Sequence, residues 1–256
     1  MKVIAIVQAR MGSTRLPNKM LKKIGKKSLI QIVMSRLSMS KKIDKIILAT
    51  SIAKNNDTLV SHVKKLGYDC YRGSENNVLE RFFLAAKKYD AEVIVRITGD
   101  CPLVDHDLVD MVINNFLNNK VDYSSNINPS SYPDGLDVEV FSFKALKGAY
   151  EKANKEFDLE HVTPFIYNSN IFKTTNIEHS EDLSTLRWTV DEQADLDVII
   201  KIYEYFNYNS NISWRDVAGL CIIKPEIFLR NSNIQRNEGS LTVSYTHLTL
   251  PTTPYV

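Results

Sequence analysis

Val3-Ile4-Ala5-Ile6-Val7-Gln8-Ala9-Arg10-Met11-Gly12-Ser13-Thr14-Arg15-Leu16-Pro17-Asn18-Lys19 is the stretch whose reading decides the fold. Val3 to Val7 is a short, β-branched apolar run bounded by polar residues, the pattern of a fully buried strand. The loop after it carries Arg10, Arg15 and Lys19 around the small residues Gly12, Ser13 and Thr14. A buried strand that opens into cations and free backbone N–H groups is how α/β proteins hold phosphate. Cations this close repel one another unless an anion joins them. The competing reading of the same residues is a solvated basic loop.

Working outward, strands and helices alternate. Leu29 to Leu37 has apolar residues at helical spacing, with Ser28 placed to cap it. Ile43 to Ala49 reads as a second buried strand ending in Thr50-Ser51, and Asp57 to Leu66 as a helix closed by Gly67. Tyr68 to Arg72 is a short strand, Val78 to Tyr89 a helix, and Glu92 to Ile97 a strong third strand. That strand runs into Thr98-Gly99-Asp100-Cys101-Pro102 and then a helix from about Asp107 to Asn118. The β-α-β-α-β-α order predicts a parallel sheet covered by helices on both faces. Ligands on such sheets bind at the carboxyl ends of strands, where both the basic loop and the Gly99-Asp100 turn emerge.

The second half is less regular. Val121 to Ser125 is a candidate strand, and Pro133-Asp134-Gly135 closes a loop with a turn signal. Leu136 to Phe141 alternates apolar and acidic residues, as a half-exposed strand would. Ser142 caps a predicted helix to about Asn154; Leu186 to Val190 reads as a late strand, followed by a helix from Asp195 to Phe206. Ser213 begins a last short helix, and Trp188 with the aromatics at 203 to 206 reads as core.

Lys+Arg 32 against Asp+Glu 30 gives a net charge of +2, which argues against a large nucleic-acid face. The cysteines, Cys70, Cys101 and Cys221, are far apart and odd in number, which suggests a reducing compartment rather than a disulfide framework. The five-residue apolar run near the N-terminus is too short for a signal peptide or a membrane span, so a cytoplasmic protein is expected. From Thr242 to Val256 the chain has no charged residue, several Thr and two Pro. That tail resembles a translated sequencing-library adapter, is set apart as non-native, and is expected to pack poorly.

Two common phosphate-loop templates fail. Gly25-Lys26-Lys27-Ser28 resembles the end of a Walker A loop, but Leu21 stands where its first Gly belongs. No G-x-G-x-x-G follows Val7. Gln8-Ala-Arg-Met-Gly-Ser-Thr-Arg-Leu-Pro-Asn-Lys-Met-Leu21 instead closely resembles the opening motif of the sugar-nucleotide cytidylyltransferases, which include the synthetases of CMP-activated 3-deoxy-manno-octulosonate and acylneuraminate. The chain is most similar to the spore coat polysaccharide biosynthesis protein F-like branch. The resemblance continues in order through Arg72-Gly-Ser-Glu75, Val78-Leu-Glu-Arg81, Arg96 to Asp105, Asp134 to Glu139, Glu160 to Pro164 and Arg187 to Asp191.

What the resemblance implies is a three-layer α/β/α, Rossmann-like nucleotidyltransferase (GT-A-like) fold with a predominantly parallel mixed sheet. Residues 1–241 would form one cytidylyltransferase-like domain. The implied activity is a Mg²⁺-dependent transfer of CMP from CTP to a sugar, expected to be a 2-keto-3-deoxy sugar acid, with release of pyrophosphate for surface polysaccharide synthesis. The implied catalytic cations are Arg10, Arg15 and Lys19. Ala9, Arg10, Gly12, Ser13, Thr50, Ser51, Ser74 and Arg81 would contact the nucleotide, and Asp100 and Asp191 would hold the metal. Asp134, Asp137, Glu139 and His161 would face the sugar, although three acidic groups would repel a sugar carboxylate. Asn77 stands where the family usually has Asp. A homodimer without nucleic-acid or membrane partners is expected. The alternatives are an enzyme of the same fold using another nucleotide or transferring a sugar, and a non-catalytic nucleotide-binding subunit.

Overall fold

The strand that opens the chain is flanked in parallel on both sides: Ile4–Gln8 pair with Lys45–Ala49, and Val3–Gln8 with Val93–Thr98. The computed structural model describes residues 1–236. In order, the elements are β1 (Val3–Gln8), β2 (Lys23–Ile24), β3 (Lys27–Ser28), α1 (Leu29–Leu37), β4 (Lys45–Ser51) and α2 (Asp57–Lys65). Then come β5 (Asp69–Gly73), α3 (Val78–Lys88), β6 (Val93–Thr98), α4 (His106–Asn119), β7 (Tyr123–Ser125) and β8 (Glu139–Ser142). The chain continues through α5 (Phe143–Lys152), α6 (Glu156–His161), α7 (Pro164–Asn168), β9 (Thr174–Asn176), α8 (Gln193–Tyr205) and α9 (Trp214–Ile223).

The main sheet has the order β5-β4-β1-β6-β8-β7-β9, and β8 alone runs antiparallel to its neighbours. Successive side chains of β1 serve opposite faces. Val3, Ala5 and Val7 join a core with α1, α4, α8 and α9, while Ile4 and Ile6 join a second core with α3 and α5. That period of two makes a buried strand the centre of three layers. The order reverses at β1: the chain winds outward through β4 and β5, then returns to place β6 on the other side. The crevice between the carboxyl ends of β1 and β6 is therefore the topological switch point.

Several boundaries follow from local chemistry. The hydroxyls of Ser28, Ser142 and Ser213 accept from the N–H groups of Gln31, Ala145 and Asp216, capping α1, α5 and α9. Such caps are worth about 1 kcal/mol each. The Walker-like Gly25-Lys26 pair is the turn of the β2–β3 hairpin and forms no phosphate loop.

Residues 156–176 carry elements to which the sequence reading assigned nothing, and three expectations need correction. The unassigned elements are α6, α7 and β9, each too short to print a period on the sequence. Leu186 to Val190 makes no strand; it is extended and fixed instead by Asp134 N–H to Leu186 O (2.9 Å), Trp188 N–H to Asp134 O (2.7 Å) and Val190 N–H to Asp100 O (2.9 Å). The strand expected to be half-exposed is buried at Glu139 as well as at Val140 and Phe141, because β8 is an interior strand of the sheet. Of the aromatics at 203 to 206, Tyr203 is buried and Tyr205 exposed. The expected single domain extends to residue 241, and the set-apart tail, Thr242 to Val256, lies outside the described residues.

Candidate active site

The loops leaving β1 and β6 are locked together before any ligand is considered. Gly99 N–H donates to Gln8 O at 2.8 Å. A Cβ on Gly99 would stand 2.7 Å from the Ala9 Cβ, so only glycine permits this approach. The basic loop is also held from behind: Met11 N–H donates to Asn56 Oδ1 (2.8 Å), and Asn56 Nδ2 donates to Ser51 Oγ (2.8 Å).

Over the switch point lies a cavity of about 960 Å³ lined by Arg10, Gly12, Ser13, Arg15, Lys19 and Arg81 among others. A second cavity of about 770 Å³ is lined by Arg96, Asp134, Asp137, Glu139, His161 and Arg236 among others. Arg15, Thr98, Asp100, Glu156, Glu160 and Asp191 line both, so the two are halves of one cleft. Asp100 and Asp191 stand at the junction.

The aspartates are bridged by Lys19. Its Nζ donates to Asp100 Oδ2 (2.9 Å), Asp191 Oδ1 (2.9 Å) and Val190 O (3.0 Å). Those three bonds use every ammonium hydrogen. Burial alone would push the Lys19 pKa down, but Asp100 and Asp191 outweigh it and raise it. Burial opposes ionisation of Asp100 too, and Lys19 nonetheless holds its carboxyl below the usual carboxylate range. Lys19 thus faces the two carboxylates rather than offering a free ammonium to the basic cavity.

Arg187 fixes Asp191 from the other side. It is buried, and it donates from Nη2 to Asp191 Oδ2 (3.1 Å), from Nη1 to Asp134 Oδ2 (2.9 Å) and from Nε to Asp195 Oδ1 (2.9 Å). Asp195 is fully buried and also accepts the N–H groups of Asp191 and Glu192 (2.9 and 3.0 Å), anchoring the start of α8. The adjoining Gly135 has φ +104°, and a Cβ there would meet the Trp188–Thr189 backbone at 2.7 Å.

Arg10 is exposed at the first cavity, and Arg81, at 1% exposure, is aimed by Nη1 donating to Ser74 O at 2.7 Å. Burial first, then Arg10 nearby, push the Arg81 pKa down to about 10 against the pull of Glu75. Arg81 Nε is buried with no hydrogen-bond partner. A buried cation depressed by a neighbouring cation at a cavity wall favours an anion between the two. Arg15 is more exposed and lies 3.4 Å from Asp191 and 3.3 Å from Glu192.

In the second half of the cleft each expected acidic residue has a cationic partner. Asp134 pairs with Arg187, Asp137 with Arg236, and Glu139 with Arg96. Glu139 further accepts from Tyr123 (2.8 Å) and Thr163 (2.5 Å). Burial and the nearby Asp137 still raise Asp134 to about 6. The repulsion expected of three bare carboxylates is thereby largely offset.

Of the expected nucleotide contacts, Arg10, Gly12, Ser13 and Arg81 reach the first cavity together with Ala9. Thr50 and Ser51 do not line it: both are fully buried, and β1 separates the end of β4 from the crevice. Ser51 acts on the loop only through Asn56. Ser74 also stays off the wall; its hydroxyl accepts from Asn77 N–H (3.0 Å) and its carbonyl orients Arg81. Asn77 does line the cavity and caps α3 by accepting from Glu80 N–H (2.9 Å). The sequence reading gave no role to Arg96, Arg187, Arg236 or Asn56. Only Arg187 left a signal, its i,i+4 spacing to Asp191.

The Asp100 and Asp191 oxygens that converge on one ammonium are hard donors beside an open cavity. The other oxygen of Asp100 lies 3.7 Å from the Cys101 thiol. Among the described residues no group of three or more His, Cys, Asp or Glu could form an all-protein metal cage. A pair of carboxylates with room for phosphate oxygens and water is the donor set Mg²⁺ takes. The residues fit the ion.

The family model described as "Cytidylyltransferase" matches residues 4–212. An uncharacterized protein of Methanocaldococcus jannaschii is 41% identical over 239 residues, covering 92% of this chain and 97% of that protein. Spore coat polysaccharide biosynthesis protein SpsF of Bacillus subtilis is 31% identical over 237 residues, 88% of this chain and 95% of its own. A 3-deoxy-manno-octulosonate cytidylyltransferase of Chlamydia felis is 37% identical over 116 residues, 44% of each chain. The solved structure of a cytidylyltransferase from Leptospira borgpetersenii superposes with a TM-score of 0.85 at 31% identity, covering 89% of this chain and 97% of that one. The fold, the switch-point cleft and these similarities agree: this chain belongs to the cytidylyltransferase family.

Proposed function

We propose that the protein transfers CMP from CTP to a 2-keto-3-deoxy sugar acid, releasing pyrophosphate, as a step in making surface polysaccharide. The observation that carries this reading is the position of Asp100 and Asp191 at the junction of a cationic half-cleft and a half-cleft of acid–arginine pairs. In this reading the triphosphate lies along Arg10, Gly12, Ser13 and Arg81, with Arg15 at the junction. A sugar hydroxyl attacks the α-phosphorus in line, and the arginines stabilise the charge that grows on the departing pyrophosphate. Their planar forks suit phosphate oxygens. Lys19 keeps Asp100 ionised and aims both carboxylates. Mg²⁺ held by Asp100 and Asp191 would neutralise phosphate charge when bound. The relatives named for spore coat polysaccharide and for 3-deoxy-manno-octulosonate support the acceptor class.

Among the described residues no helix is long and apolar enough to cross a membrane. We place the enzyme in the cytoplasm as a homodimer, on the resemblance alone. A thermal-shift panel of CTP, UTP, GTP and ATP with Mg²⁺ tests the nucleotide. CTP at a hundred times its Kd is expected to add about 2.7 kcal/mol of stability, with the other nucleotides adding far less. A larger shift with UTP or GTP would replace CTP in this reading.

A further inference from the structure

The short helix α6 was invisible in the sequence, yet it walls both halves of the cleft. Glu156 and Glu160 line both cavities, and Phe157 and His161 line the second. Phe157 is 53% exposed, with its ring open to the second cavity. Its ring packs on His161 with centroids 4.4 Å apart and planes at 50°. Burial lowers the His161 pKa below its ordinary value, so the stack is neutral near pH 7.

The stack is held by a strained backbone. Val162, fully buried, has φ +74° and ψ −54°, and Thr163 N–H donates to His161 O at 2.9 Å. That is a γ-turn of the rare, strained hand, and it falls at a β-branched residue, where a positive φ is least tolerated. It lets Thr163 bond Glu139 inside the cleft while His161, two residues earlier, backs Phe157. Strain of this kind persists where the surroundings fix a functional arrangement.

We propose that Phe157, backed by His161, is the platform on which the acceptor ring lies, so that the acceptor class is a pyranose presenting an apolar C–H face. The adjacent Glu156 and Glu160 carboxylates accept hydroxyl hydrogen bonds and disfavour an acceptor with a phosphate at this end. An aromatic face beside a few convergent polar groups is the general build of a small-molecule site. The inference rests on the proposed function and names the substrate class of that cleft. Phe157 is a positioning residue and takes no part in proton or phosphoryl transfer.

The test is steady-state kinetics with CTP, Mg²⁺ and a panel of eight- and nine-carbon 2-keto-3-deoxy sugar acids, comparing wild type with Phe157→Ala, Phe157→Leu and Phe157→Trp. For whichever sugars turn over, Phe157→Ala is expected to raise the acceptor KM about tenfold or more while leaving the CTP KM within about twofold. Phe157→Trp, which restores a flat face, is expected to stay near wild type, with Phe157→Leu between. An unchanged acceptor KM in Phe157→Ala, or a parallel rise in both KM values, overturns the platform while leaving the proposed function standing. Absence of turnover by the wild type with every sugar overturns the proposed function and the platform with it.

Discussion

Asp100→Asn and Asp191→Asn are each expected to cut turnover by about two to four orders of magnitude, the scale of losing a metal's charge stabilisation on a phosphoryl group. The fold should survive either change. In Asp100→Asn the Lys19 ammonium keeps Asp191 and the Val190 carbonyl as acceptors. The Arg10 and Arg81 side of the cleft is untouched, so nucleotide should still bind, and the Mg²⁺-dependent part of its thermal shift should disappear. Turnover near the wild-type level in either variant would remove the aspartates from the reaction. Loss of cooperative melting would make them structural residues instead.

Arg187→Met is expected to be the most destabilising single change in the site. It leaves Asp134, Asp191 and Asp195 facing one another without their shared cation, and Asp195 is fully buried. Breaking a buried ion-pair network from one side costs about 3–5 kcal/mol. Asp191 would also lose the bond that aims it, so turnover should fall with stability. Arg187→Lys keeps the charge but lacks the fork that reaches three carboxylates, and it should recover only part of the loss. Combining Arg187→Met with Asp195→Asn should be less destabilising than Arg187→Met alone, because one stranded charge is gone. Chemical denaturation of the set checks this. A wild-type midpoint for Arg187→Met would mean that the network contributes nothing.

The parts of the fold that could be read from sequence were those whose local signal matches the final packing. Val3 to Val7 is apolar on both faces because β1 lies at the centre of the sheet between two helical layers. Ser28, Ser142 and Ser213 mark helix starts by a chemistry that acts within three residues. Where the structure is made by distant partners, the sequence misled. Leu186 to Val190 has a strand's composition but takes its hydrogen bonds from Asp134 and the Asp100 turn. Glu139 looked solvent-facing only because Arg96, Tyr123 and Thr163 are far away in the chain.

The site divides in the same way. Arg10, Gly12 and Asp100 line one cleft, as the sequence order suggested, because loops after β1 and β6 meet at the switch point of any sheet so ordered. Thr50 and Ser51 carry the right chemistry at the end of a strand, but that strand is one place too far along the sheet. Lys19 was read as a bare cation near phosphate, whereas Asp100, Asp191 and the Val190 carbonyl, more than eighty residues later, claim its three hydrogens. The arginines that neutralise the acidic residues of the second half-cleft had no local signature at all, apart from Arg187.

One measurement bears most directly on the central claim. Wild-type protein and Asp100→Asn are incubated with CTP, Mg²⁺ and 3-deoxy-manno-octulosonate or its longer sugar-acid homologues, and phosphorus NMR follows the products. The account predicts pyrophosphate and a CMP-linked sugar in equal amounts from the wild type, only when both substrates are present, and almost none from Asp100→Asn. No pyrophosphate from any sugar acid, or pyrophosphate released equally without sugar, would contradict it.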